Sequence, residues 1–238
     1  MQVVLLCGGK GTRLNEKTVK IPKPLIEVGD KPILWHLMKY FEHHGHTDFV
    51  LCTGYKADMI KDFVEKREEK TWNITISEGD EDMSKAERIL KAKDLLDDTF
   101  ILSYGDDVTD VNINNVIEQH KNDNKLVTIT AVNPECGYGV LELGEKNELA
   151  GFKEKPKLPF WVNGGFMVVS KKISEYLHKG ELEEEVFEHL VSTKEIGAYK
   201  HPGFWKSMNS LKDTLDLNNM VKNNEAIWKV WEANKNEG

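Results

Sequence analysis

Four apolar residues, Val3, Val4, Leu5 and Leu6, run almost directly into Gly8-Gly9-Lys10-Gly11-Thr12-Arg13-Leu14. A run this short suits one buried strand and is too brief for a helix. A buried strand that stops at glycines leaves backbone N–H groups free at its tip, and without a Cβ the main chain can approach an anion closely. Lys10 and Arg13 make that edge basic, so the pattern suits a polyphosphate. Further on, Lys23 lies between Pro22 and Pro24, a frame that predicts extended backbone on both sides and a well-aimed ammonium. Lys23 is therefore a catalytic candidate. The loop lacks the Gly-Lys-Ser/Thr ending of a P-loop, and the third glycine of the dinucleotide fingerprint is missing where Arg13-Leu14 stand. Taken alone, the glycine turn reads equally well as structural punctuation.

With 238 residues the chain can bury a substantial core as a single α/β domain. A net charge of −8 leaves no basic surplus to displace counterions from a nucleic acid. Any anion site must then be a local gathering of lysines and arginines. Cys7, Cys52 and Cys136 have no CxxC spacing and read as reduced, mostly buried thiols, with no zinc implied. No apolar run approaches membrane length, which predicts a soluble cytoplasmic protein without membrane partners.

Along the chain, strand and helix patterns alternate as in a parallel sheet. Asp30 and Pro32 predict the start of a helix that carries Ile33, Leu34, Leu37, Met38 and Phe41 inward and stops at Gly45. His43, His44 and His46 fit no metal spacing and read as structural. Residues 49–53 read as a second strand, followed by a helix burying Ile60, Phe63 and Val64. A third strand is predicted over 72–77 and a helix over 84–96. Residues 100–104 form the next strand, which ends in Gly105-Asp106-Asp107. Carboxylates at the carboxyl end of a parallel strand lie in the ligand crevice of open α/β sheets, and one there can hold Mg²⁺ against phosphates. Residues 127–132 read as a strand, 138–143 and 149–153 as a hairpin, and 162–169 as another strand. The acidic run Glu183-Glu184-Glu185 reads as a solvated helix face. A helical tail is expected over 213–232, with Trp228 and Trp231 on one face for packing or subunit contact.

Beyond these readings, the stretches GGKGTRL, IPKPLIEVGDKPILWH, GYK, YGDD, FKEKPK, VNGGF and HPGFW, the last followed by M-x-S-L-K-D, closely resemble the sugar-phosphate nucleotidyltransferases, cytidylyltransferases of glucose 1-phosphate in particular. The resemblance covers nearly the whole chain. It implies a Rossmann-like nucleotide-diphospho-sugar transferase fold, with a mixed, mostly parallel sheet, flanking helices and a small β-hairpin region. One domain over 1–238 is expected, with a nucleotide half near 1–110, an acceptor half near 111–212 and the tail beyond. By the same resemblance Leu6, Gly8, Gly9, Gly11, Thr12, Arg13, Lys23 and Arg88 would hold the nucleotide. Lys23, Arg13 and Asp106 would be catalytic, Asp106 and Asn209 would hold Mg²⁺, and Tyr104, Glu154, Lys155, Asn163 and Gly164 would meet the acceptor. The implied partners are CTP, a small phosphorylated acceptor and further copies of the chain.

Three departures stand out. The family's second metal-binding aspartate, in a Met-Asp-Thr sequence, is here Met208-Asn209-Ser210; its Thr-Gly-Gly-Arg segment is Ser84-Lys85-Ala86-Glu87-Arg88; and the segment at 78–83 is short. The acceptor therefore stays open between glucose 1-phosphate and another phosphate such as phosphoglutamine. A non-catalytic nucleotide-binding regulator of this fold is the alternative that Asn209 favours. Lys23, Asp106 and Lys155 speak against it. A nicotinamide dehydrogenase is disfavoured by the missing glycine and by the lack of a ribose-binding acid.

Overall fold

The computed structural model describes residues 1–11, 18, 20–178 and 180–235. In chain order the elements are β1 (Val3–Leu6), β2 (Glu27–Val28), β3 (Lys31–Pro32), α1 (Ile33–His43), β4 (Asp48–Thr53), α2 (Ala57–Lys66), β5 (Asn73–Glu78), α3 (Lys85–Ala92), β6 (Thr99–Tyr104) and β7 (Asp107–Thr109). There follow α4 (Ile113–Asp123), β8 (Val127–Val132), β9 (Val140–Leu143), β10 (Leu149–Lys153), β11 (Val162–Ser170), α5 (Glu188–Ser192), β12 (Ile196–His201), β13 (Trp205–Ser207) and α6 (Leu211–Lys222).

Seven strands form the central sheet in the order β12-β8-β11-β6-β1-β4-β5. β11 runs antiparallel to both of its neighbours, while the remaining ladders are parallel. The mixed, mostly parallel sheet therefore matches the fold expected. β1 is buried throughout, and its alternating side chains feed opposite cores. Val3 and Leu5 pack with Leu37 and Phe41 of α1, Ile60 of α2 and Val116 of α4. Val4 and Leu6 pack with Ala86 and Ile89 of α3, and with Leu182, Val186 and Leu190 around α5. Truncating such a buried Leu to Ala costs about 2–5 kcal/mol. Among the described residues no helix is long and apolar enough to cross a membrane.

Two predicted boundaries are corrected. Asp30 does not cap α1, because Glu27 pairs with Pro32 and Val28 with Lys31, which puts Asp30 in a turn beside Gly29 at φ 70°. The first helical N–H, on Ile33, is satisfied by the Ile26 carbonyl at 3.0 Å instead. Nor is the tail one helix: α6 stops at Lys222, Asn224 takes φ 57°, and the chain folds back before a short 3₁₀ turn over Val230–Lys235. Asparagine tolerates that left-handed backbone and ends helices there. The return buries Trp228 against Phe204 and His36, so this tryptophan is core. His36, buried in α1, donates through Nε2 to the Val28 carbonyl at 2.8 Å and receives the Trp228 indole at Nδ1. Burial pulls its pKa down to about 4. Cys7 and Cys52 are buried free thiols and Cys136 is partly buried.

Candidate active site

The parallel strands β1, β4, β5 and β6 deliver their carboxyl ends to one edge of the sheet, the place where open α/β sheets bind ligands. A cleft of about 650 Å³ opens there. Leu6, Gly8, Gly9, Gly11, Lys23, Arg88, Tyr104, Asp106, Asn163 and Asn209 all line it, so most of the residues singled out by sequence share one cavity. Thr12 and Arg13 lie outside the described residues.

Arg88 is placed underneath the glycine loop. Its guanidinium donates to the carbonyls of Thr53, Gly8, Asp80 and Glu81 at 2.7–3.1 Å, tying together the loops that follow β1, β4 and β5. A Cβ on Gly8, Gly54 or Gly79 would come within 2.3, 2.2 or 3.2 Å of Arg88 Nη1. These glycines are the walls of an arginine socket. The side chain is 4% exposed, and its fixed donors are spent on main chain, where they hold the loop in shape.

Lys23 stands beside the same loop, where a Cβ on Gly11 would come within 3.3 Å of the Lys23 Cβ. Its Pro-Lys-Pro frame predicts extended backbone; Pro22 is extended at φ −67°, ψ 146°, but Lys23–Leu25 is a 3₁₀ turn. Pro24 has no N–H to satisfy in such a turn, and the Pro22 carbonyl accepts from Leu25 at 2.9 Å. The result still aims the ammonium. Lys23 Nζ forms an ion pair with the Asp106 carboxylate and donates to Asn209 Oδ1 at 3.0 Å, with both ends of the pair largely shielded from solvent. Register explains this meeting, since β7 pairs with β13 so that Asp107 faces Ser207, and the Met208 N–H reaches the Asp106 carbonyl at 3.0 Å. The next residue, Asn209, is thereby set beside Asp106, and its Nδ2 is held by Ser207 Oγ at 2.9 Å.

Two oxygen donors thus already converge on a cation. Among the described residues no cluster of three or more His, Cys, Asp or Glu side chains offers a complete ligand set. A cation held by Asp106 and the Asn209 carbonyl would take its other oxygens from water and substrate phosphates, which suits Mg²⁺. Asp107, the second carboxylate of the Gly105-Asp106-Asp107 strand end, is 3% exposed. Burial first, then the neighbouring Asp106 charge, pushes its pKa well above the usual carboxylate range.

The far end of the cleft is built from Tyr104 at the tip of β6, Asn163 on β11, Lys85 in the first turn of α3 and Glu183. Tyr104 donates to Glu183 Oε1 at 2.5 Å and receives the Asn163 amide at 3.1 Å. Burial, and next the Glu183 charge, drives the phenol's pKa far up, so it stays a donor. Gly164 is buried, and its carbonyl accepts from the Trp205 indole at 2.8 Å. Glu154 and Lys155 are exposed in the turn after β10, Lys155 at φ 44°, and neither lines the cleft.

Glu183 departs from the solvated-face reading of its acidic run, while Glu184 and Glu185 are exposed as that reading expects. The run lies on a π turn, Leu182–Phe187, with Leu182, Val186 and Phe187 buried, and Glu183 faces the cleft where it also binds Lys85. Extra residues per turn break the helical spacing on which the solvated-face reading depends. Lys85 carried a detectable signal, because Ser84-Lys85-Ala86-Glu87 is a capping box that begins a helix at the sheet's carboxyl edge.

Comparison with known proteins places the chain in a family. The sequence model of the family described as Nucleotidyl transferase matches residues 2–224. The chain is 37% identical to a protein of Bacillus subtilis (strain 168) named "Probable glucose-1-phosphate cytidylyltransferase", over 97% of this chain and 100% of that one. It is 35% identical to the glucose-1-phosphate cytidylyltransferase of Salmonella typhi, over 98% and 100%. A crystal structure of HddC from Yersinia pseudotuberculosis, complexed with GMP-PN, superposes with a TM-score of 0.74 at 26% identity, covering 92% of this chain and 99% of that one. On the family match and on this full-length similarity, the chain belongs to the Nucleotidyl transferase family.

Proposed function

We propose that this protein is a Mg²⁺-dependent cytidylyltransferase that joins CTP to glucose 1-phosphate, giving CDP-glucose and pyrophosphate for surface-polysaccharide synthesis. The observation that carries the reading is the convergence of Lys23, Asp106 and Asn209 at the mouth of the glycine loop, in a chain similar along its length to proteins named for that reaction. An oxygen of the acceptor phosphate attacks the α-phosphorus of CTP, the bond from that phosphorus to the bridging oxygen breaks, and pyrophosphate leaves with the bond's electron pair.

Little covalent work falls to the chain in such a step; positioning and charge do most of it. Backbone N–H groups of Gly8, Gly9 and Gly11 would hold the triphosphate, with Thr12 and Arg13 as further contacts, and Arg88 would keep the loop in form. Lys23 would turn its ammonium to the phosphates, and Asp106 and Asn209 would hold the metal. Mg²⁺, when bound, supplies neutralisation of the phosphate charge. Lys155 and Glu154 would reach the acceptor from the hairpin. A soluble cytoplasmic location completes the reading, together with a homo-oligomeric state, for which the exposed apolar side chains of Leu141, Leu143, Leu149 and Phe152 offer a contact surface.

A substrate panel tests the reading. Purified protein with Mg²⁺ is given CTP, ATP, GTP or UTP together with glucose 1-phosphate, phosphoglutamine or glycerol phosphate, and pyrophosphate is measured. CTP with glucose 1-phosphate is expected to be the fastest pair. Faster release with GTP would overturn the base, strong turnover of another phosphate would overturn the acceptor, and silence with every pair would overturn catalysis.

A further inference from the structure

Four side chains from separate parts of the chain close one end of the cleft and are hydrogen-bonded to one another. Glu183 Oε1 accepts from the Tyr104 hydroxyl and from Lys85 Nζ, each at 2.5 Å. Lys85 also lies over the Tyr104 ring, 5.2 Å from its centroid. Asn163 donates to the Tyr104 oxygen at 3.1 Å while its own Oδ1 accepts from the Gly165 N–H at 2.9 Å, which fixes the direction of the amide. Tyr104 is thus engaged both as donor and as acceptor.

A carboxylate has room for about four hydrogen bonds. Both protein donors to Glu183 fall on Oε1, and 30% of the side chain remains exposed in the cleft wall. Its second oxygen is an acceptor without a protein donor among the described residues, held by a pinned partner. An exposed ion pair with Lys85 is worth only about 0–1 kcal/mol, so stability alone is a weak reason for the arrangement. An oriented carboxylate oxygen with free acceptor capacity is complementary to a hydroxyl.

We propose that Glu183 reads a hydroxyl of the acceptor and is a specificity-determining residue of this cleft, with Tyr104, Lys85 and Asn163 as its positioning partners. The inference rests on the transferase reading above and narrows its acceptor to a hydroxyl-bearing phosphate.

The test is a cycle between residue and substrate. Pyrophosphate release is measured for wild type, Glu183→Gln and Glu183→Ala with CTP, glucose 1-phosphate and each of its monodeoxy analogues. Wild type is expected to lose about 10- to 100-fold in kcat/KM with one analogue, the range for a hydrogen bond to a charged group. Glu183→Ala is expected to show a similarly raised acceptor KM and to treat that analogue and the parent alike, with the KM for CTP unmoved. Glu183→Gln, which keeps an acceptor for Tyr104, controls for folding by its thermal unfolding and should retain part of the discrimination. If wild type prefers another phosphate, the cycle uses that acceptor and its deoxy forms. Equal discrimination with and without Glu183 overturns the inference while leaving the transferase reading intact, as does efficient use of an acceptor without hydroxyls. No pyrophosphate from wild type with any pair overturns the transferase reading first and this inference with it.

Discussion

The edge of the sheet that carries the glycine loop and the hairpin β9–β10 are built in opposite ways. At the edge, Leu5, Cys7, Val50 and Leu51 are essentially fully buried, and three loops close on one arginine. In the hairpin, Val140, Leu141 and Leu143 are exposed and pair with β10 alone. A two-stranded ribbon of that kind is marginal by itself. The contrast separates two tasks. Under the reaction proposed above, charge stabilisation of a transferring phosphate depends on groups held in place beforehand, and Lys23, Asp106 and Asn209 would be so held by their contacts with one another at this edge. Contact with the acceptor can be made by a lightly packed element that adjusts to what it holds.

The sharpest way to break this comparison is to empty the arginine socket. Arg88→Ala removes the donor from four main-chain carbonyls, and at about 1–3 kcal/mol for each buried group left unsatisfied, partly relieved by entering water, the expected loss is about 3–4 kcal/mol. Urea unfolding measures it. A variant that unfolds like wild type but binds CTP poorly would make Arg88 a nucleotide contact instead of a brace.

Lys23→Ala should leave the fold standing and remove catalysis. A fixed positive charge on a transferring phosphoryl group contributes several kcal/mol, so turnover is expected to fall by about 100-fold or more. Near-normal turnover in a folded variant would sink the catalytic assignment.

A smaller effect is expected on the hairpin. Lys155→Ala should raise the acceptor KM by about 10-fold, the value of one charged hydrogen bond, with thermal unfolding and the KM for CTP unchanged. If the acceptor KM does not move, recognition lies with the cleft wall alone.

The division also marks what the sequence makes legible. Strand and helix positions follow from apolar periodicity, and Gly105-Asp106 at the end of β6 announces the crevice because parallel strands bring such ends together. Glycine and Pro-Lys-Pro patterns identify candidates in the same way. Pairing between distant residues is another matter. Lys23 meets Asn209 across 186 positions only through the β7–β13 register, and no local pattern encodes that register. Glu183 is hidden by a π turn, whose winding defeats the spacing rule used to orient acidic runs. The tail misleads for a local reason, since Asn223-Asn224 inside an otherwise helical pattern stops α6 at a left-handed residue.

β11 is the one strand of the central sheet that runs against its neighbours. A strand with that polarity hands its beginning, and not its end, to the crevice, so Asn163 arrives there directly from the segment that precedes it. Everything spliced between β8 and β11 is therefore delivered at the substrate's doorstep without shifting a single rung of the seven-stranded ladder. Doubling the length of such a connection costs only about 0.6 kcal/mol in closure entropy. The polarity of one strand thus makes the stretch from 133 to 161 an exchangeable cassette, which can be lengthened or trimmed while the strand ends around the glycine loop are inherited unchanged.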